Sequence, residues 1–219
     1  MKTIQEVVEE IISQTPFIEE ALHDKLVNVS SLARDIQGDV ESRLGKPVKT
    51  GAVMMAINRI SPSQLLRIRK NIKAFSLELK DFIVRSDLHD YTYKNTHTLH
   101  KQIAKLYNVI EHGSESFFTV SQGIFETNVV ISSNIRKQLE KYLAAEELIH
   151  SISNLSSITV KLPKSNLEQS GVYYFILKQF AWANIPVQEI ISTTHEITLV
   201  VKEADITNSF SILIRLKSR

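Results

Sequence analysis

Cysteine is absent from the chain, which rules out disulfides, thiolate metal ligation and a cysteine nucleophile and fits a reducing compartment. Long apolar runs are missing as well. The amino-terminal stretch MKTIQEVVEEII breaks its apolar positions with glutamates, so it reads as neither a secretion signal nor a membrane span, and the cytoplasm is the expected location. Six glycines are scattered through 219 residues, and none falls in a G-x-G-x-x-G or P-loop spacing that would cradle a phosphate. No serine sits on a glycine elbow beside a base, so no catalytic residue and no cofactor are expected. A net charge of +2 is too small to name a partner.

The composition that remains is that of an ordinary globular protein, with 43% hydrophobic and 23% charged residues. Its charge is unevenly spread. Residues 1–24 hold Lys2 against Glu6, Glu9, Glu10, Glu19, Glu20 and Asp24, whereas Arg34 to Lys73 carries nine basic residues against three acidic ones. Only the second block suits a polyanion.

Ile4, Val7, Val8, Ile11 and Ile12 repeat at helical spacing, and Thr15-Pro16 restarts the pattern with a cap and a first-turn proline. A third helix is expected after Ser30, through Leu32, Ala33, Ile36, Val40 and Leu44 to a stop at Gly45. A fourth should run from Thr50 to Ile60. The segment from VNVSSLARDI to GKPVKTGAVMMAINRIS resembles a helix-turn-helix of the winged-helix kind, which implies DNA contacts from Lys46, Lys49, Thr50 and Arg59. The same residues also read as a plain helical scaffold with a basic edge.

From Phe75 the pattern changes. Phe75, Leu77 and Leu79 alternate with polar residues and lead into Phe82-Ile83-Val84, as in strands, and Ser86 to Thr98 reads as a polar loop. A helix from Leu99 to Ile110 ends at His112-Gly113. Strands follow at Phe117–Ser121 and Glu126–Ile131, and then a helix from Ile135 to about Ile149. The order then repeats: the strand Ile158–Leu162, a helix after Gly171, and a hairpin built from QEIIS and EITLVVK. Glu126 and Glu196 open matching strands. The expected fold class is α+β, a helical unit at 1–74 followed by two βαββα(β) units at 75–155 and 156–219.

The last unit resembles an ACT domain of the aspartate kinase regulatory type. The resemblance rests on Ser170-Gly171-Val172, Phe175, Phe180, Asn184-Ile185-Pro186-Val187, Ile190-Ile191-Ser192-Thr193, Glu196 to Val201 and Asp205. It implies a ferredoxin-like sheet with helices on one face, and the middle unit looks like a weaker copy. No kinase domain accompanies it. The chain stops after its last helix, so the closing strand of the final unit is expected to be absent or to come from elsewhere, from Phe75–Leu79 or another subunit, and a homodimer is expected.

In that family, effectors bind where the loop before the first helix meets the second strand. The resemblance therefore assigns effector binding to Gly171, with Asn166, Gln169 and Ser170 as neighbours by position, and implies an amino acid as the small-molecule partner. The function expected is non-enzymatic regulation: ACT-like units sense an effector and control a DNA-binding unit. The alternative is an ACT-like oligomerisation module that regulates a separate enzyme. His89, His97 and His100 beside Asp87 and Asp90 suggest zinc, but their spacing matches no metal motif, and no metal is expected. Trp182, near a helix end, reads as core or interface.

Overall fold

The computed structural model describes residues 2–60, 78–79, 81–110, 116–163 and 169–217. Two compact units emerge, Met1–Lys70 and Asn71–Arg219.

The first contains four described helices, α1 (Ile4–Ser13), α2 (Pro16–His23), α3 (Val29–Leu44) and α4 (Thr50–Arg59). Thr3 and Glu6 form a capping box at α1, each side chain meeting the other's backbone N–H. The apolar stripe Val7, Val8, Ile11 and Ile12 packs on Leu32, Ala33, Ile36, Val40, Val53 and Ile57. Two capping expectations change. The side chain of Asn28, rather than a serine, accepts from Ser30 N and Ser31 N to cap α3. Thr15 makes no cap bond; its hydroxyl donates back to Ile11 O at 3.2 Å. Gly45 ends α3 in the left-handed region at φ 66°, as its position suggested. Gln64, Arg67, Arg69, Lys70 and Lys73, which the sequence offers as a wing or a charged connector, lie outside the described residues.

The second unit is one antiparallel sheet of six strands in the order β2-β3-β1-β4-β6-β5. Its elements are β1 (Phe82–Lys94), α5 (Leu99–Val109), β2 (Phe118–Gln122), β3 (Glu126–Ser132), α6 (Arg136–Tyr142), β4 (Leu148–Lys161), α7 (Val172–Trp182), β5 (Glu189–Ser192), β6 (Glu196–Lys202) and α8 (Ile206–Lys217). A short 3-10 turn precedes each of α6 and α8.

The long strands β1 and β4 explain how two copies of a βαββαβ plan fit here. Leu88–Lys94 opens the first copy and Leu155–Lys161 the second. The closing strand of the second copy is Phe82–Arg85, paired with Ser157–Val160; that of the first is Leu148–Ile152, paired with residues Asp90–Tyr93. The strand expected from Phe75–Leu79 or another subunit is thus supplied within the chain, beginning at Phe82, three residues past Leu79. Glu78 is helical, Leu79 is buried without being in a strand, and Phe75 lies outside the described residues. The structural reason for expecting a dimer falls with the missing strand.

Three further boundaries differ. Ser86–Thr98 is strand as far as Lys94, because Leu88, Asp90 and Thr92 alternate with His89, Tyr91 and Tyr93 on opposite faces. The helix expected to reach Ile149 ends at Tyr142, and Leu148 already pairs with Tyr93. Val109 ends α5, with Ile110 extended after it, and Gly113 lies outside the described residues.

Helices cover one face. In the first copy Tyr91, Tyr93, Val129 and Ile131 pack on Leu99, Leu106, Leu139 and Leu143. The rings of Tyr91 and Tyr93 stack at 6.4 Å, and burial pushes the Tyr93 hydroxyl up to about 12. In the second copy Ile158, Val160, Leu199 and Val201 pack on Ile176, Phe180, Leu213 and Leu216. The helix-free face curls on itself. Phe117 beside one edge strand and Ile191 on the other both pack against Leu88, Leu155 and Val200. Trp182 is not core; it is 76% exposed at the end of α7.

Candidate functional site

The residues singled out before α7 fall where the second copy's first helix meets its second strand. Gly171 is the N-cap of α7, in the left-handed region at φ 92° and ψ −5°. Such a backbone favours glycine, and the position leaves α7 without a side-chain cap. The Gly171 carbonyl accepts from Phe175 N at 2.9 Å. Gln169 stands just before this turn with Oε1 buried and without a hydrogen-bond partner among the described residues. Ser170 is exposed in the turn. Asn166 lies outside the described residues.

Two residues join this group that sequence reasoning did not assign to it. The Tyr173 hydroxyl, in the first turn of α7, lies 2.7 Å from Ser192 Oγ on β5. Ser192 Oγ also lies 3.3 Å from Thr193 O and 3.4 Å from Glu196 O. When Ser192 donates to either carbonyl, Tyr173 donates to Ser192. A helix N-terminus carrying unused N–H groups, an unpartnered amide oxygen and two hydroxyls can hold the carboxylate and amine of a small molecule.

The first copy shows a similar layout, with one side chain reaching its helix end. His100 Nε2 lies 3.3 Å from Gln122 Nε2, joining α5 to β2 as Tyr173 joins α7 to β5. There Thr96 Oγ1 accepts from Leu99 N at 3.1 Å and donates to Glu146 Oε2 at 2.6 Å. The N-cap residue there, Thr98, makes no cap bond, as Gly171 makes none, but Thr96 two residues earlier satisfies Leu99 N. Beside it, a groove of about 510 Å³ runs between Ile103 and Tyr107 of α5 and Phe118 and Val120 of β2.

The histidines do not converge. His89 is buried on β1, and its Nε2 lies 2.6 Å from Ser133 Oγ. Burial pushes its basicity down, with Arg136 adding to the effect. Asp90 is the next residue on the strand and points to the other face, while His97 and His100 are exposed. Among the described residues no three histidines or acids come together as a metal site.

In the helical unit, Lys46 and Lys49 are exposed before α4, and Arg59 is exposed at its far end. Thr50 is committed elsewhere, its hydroxyl donating to Gln37 Oε1 at 2.7 Å. Among the described residues no helix is long and apolar enough to cross a membrane.

No protein-family profile and no curated protein matches the chain. Solved structures do. Aspartate kinase from Clostridium acetobutylicum, described as an allosteric enzyme, matches with a TM-score of 0.53 at 9% identity. The match covers 63% of this chain and 34% of that one, so the chain spans about a third of the enzyme's length. A structure of aspartokinase alpha and beta subunits matches with a TM-score of 0.53 at 8% identity over 64% of this chain and 99% of that one. The regulatory subunit of aspartate kinase from Thermus thermophilus, in its ligand-free form, gives 0.49 at 10% identity over 63% and 98%. Identities this low speak for the fold alone: over about two thirds of its length the chain shares a fold with part of these aspartate kinase structures.

Proposed function

We propose that the chain is a non-enzymatic regulatory protein whose sheet unit binds an amino acid or a similar small effector at the open end of α7. The observation that carries this reading is the contrast between the two copies. Neither N-cap residue makes a side-chain bond, but Thr96 reaches Leu99 N at the start of α5, whereas Gln169, two residues before Gly171, has an oxygen without a partner among the described residues. Backbone amides would take the effector's carboxylate, and Gln169, Tyr173 and Ser192 would take its amine. The likeness to aspartate kinases, one of them described as allosteric, supports this choice of ligand class. Calorimetry of the full chain against the twenty amino acids tests it. Heat is expected with one or a few, lost in Gly171→Val and weakened in Tyr173→Phe, whose fold the change leaves intact. Silence across all twenty from folded protein overturns the reading.

The output we propose is control of DNA binding by the helical unit, supported by the exposed Lys46, Lys49 and Arg59 around α4. Duplex affinity should fall steeply with salt and weaken in Lys49→Ala and Arg59→Ala; no binding at low salt removes this output. A second reading, docking on a separate enzyme, is favoured by the β2–β3 hairpin tip. Ile124 is 86% and Phe125 79% exposed there, while the matching tip of the second copy carries Thr194 and His195. A pull-down in which Ile124→Ser with Phe125→Ser loses a metabolic enzyme distinguishes the two.

A further inference from the structure

Helix α2 carries Phe17, Ile18, Ala21 and Leu22, a face that ought to reach the core, yet no side chain described on it is buried. Between α2, the connection to α3 and the ends of α1 and α4 lies a cavity of about 370 Å³. Its floor is firm core: Ile12 is 1% and Ile57 4% exposed, with Ile60 beside them. Leu22 and Val27 form its walls. The pocket opens to solvent and is apolar at its floor, where an occupant would add contacts that the lining side chains lack.

The mouth is charged with both signs. Glu19, Lys25, His23 and Asn58 line it, and neither the Glu19 nor the Lys25 side chain has a hydrogen bond or ion pair among the described residues. Lys25 is also held in a rare conformation. It lies at φ 58°, just past the end of α2, where glycine is the usual residue, and the turn is wound by Lys25 N to Leu22 O at 3.0 Å and Leu26 N to Ala21 O at 2.9 Å. A long cationic side chain held at a left-handed position costs stability, and such outliers gather at functional sites.

The geometry points to a second small-molecule site here, separate from the one at Gly171. It suits an amphipathic zwitterion with a large apolar body, such as an amino acid with a leucine- or phenylalanine-sized side chain. The apolar body fills the space against Ile12 and Ile57, the ammonium meets Glu19 and the carboxylate meets Lys25. Sites between helices that combine apolar walls with a few polar groups have this general make-up.

The test is titration of the methyl-labelled full chain with L-leucine and L-phenylalanine, and with isoamylamine and 4-methylpentanoate as single-charge counterparts of leucine. Either amino acid should shift the methyl signals of Ile12, Leu22 and Ile57, with the single-charge compounds at least tenfold weaker. Glu19→Gln and Lys25→Gln should each weaken binding about tenfold while leaving the other methyl signals in place. Leu22→Phe, which fills the cavity, should abolish the shifts. Three results overturn the proposal: no shift at these three residues, equal binding of the single-charge compounds, or indifference to both charge variants. Shifts confined to Ile176, Ile190 and Ile191 would also overturn it, while supporting the site at Gly171. The two sites therefore fail independently.

Discussion

Leu88 and Leu155 face each other across β1 and β4, and each follows a residue in the left-handed region, Asp87 at φ 58° and Asn154 at φ 56°. These two kinks interrupt the register on either side of the leucine pair and mark where each long strand leaves one copy for the other. Neither kink residue is glycine, so each carries a conformational cost that the surrounding pairing must hold in place. Asn154→Gly should be neutral or slightly stabilising, whereas Asn154→Val should destabilise by about 1–2 kcal/mol, since a β-branched side chain resists positive φ. Urea unfolding followed by circular dichroism measures the difference; equal midpoints for the two variants would show that the kink is not held in the folded protein.

Helix α7 offers a sharper contrast within three residues. Phe180 is 1% exposed in the second copy's core, and Trp182 is 76% exposed. Phe180→Ala should cost about 3–5 kcal/mol, while Trp182→Ala should stay within about 0.5 kcal/mol. Thermal melts of the two variants compare them directly, and a large loss from Trp182→Ala would mean that this ring is covered in the protein's working assembly.

That contrast also shows what was legible from the residues alone. The second copy was readable because its strands and helix turn apolar residues toward one core, as with Ile158, Val160, Val172 and Phe180. The second half of β1 and the first half of β4 were not. Their helix-free face carries Asp90, Thr92 and His150, so Ser86–Thr98 looked like loop chemistry, and the left-handed Asp87 and Asn154 interrupt each long run. At the candidate site, Gly171 announced its backbone, but the approach of Tyr173 to Ser192 depends on how α7 lies over β5, which local spacing does not encode.

The curled face holds two acids whose ionisation opposes folding. Burial raises the Asp90 carboxyl above its usual range, against the lowering effects of the Asn128 amide at 2.6 Å from β3 and His150 from β4. Burial raises Glu189 on β5 as well, and the Asp90 charge raises it further. An acid whose pKa is higher in the folded state contributes stability that is full below its unfolded value and is lost as pH rises through the folded value. Asp90→Asn removes the charge and keeps an oxygen for Asn128. The stability gained by this variant should therefore grow as pH rises from about 4 toward neutrality. Urea midpoints of both proteins across that range provide the check; a constant difference would mean that Asp90 does not titrate differently on folding.

The helical unit depends on a polar clasp at its α3–α4 turn. Gln37 Nε2 donates to Val48 O at 2.9 Å, and Gln37 Oε1 accepts from the Thr50 hydroxyl. Val48 N donates to Glu41 Oε1 at 2.9 Å, and this bond and that from Gln37 hold the Glu41 carboxyl below its usual range. Gln37→Ala removes the centre of the clasp and leaves the Val48 carbonyl, at a buried residue, without this donor. A loss of about 1–2 kcal/mol is expected. Thr50→Val, which removes one neutral bond while keeping side-chain volume, should cost less, about 0.5–1.5 kcal/mol. Hydrogen exchange at Val48 and across α4 locates the effect: it should speed up in Gln37→Ala more than in Thr50→Val, and equal rates in the two would show that the turn is held by the apolar packing of Val48 and Val53 instead.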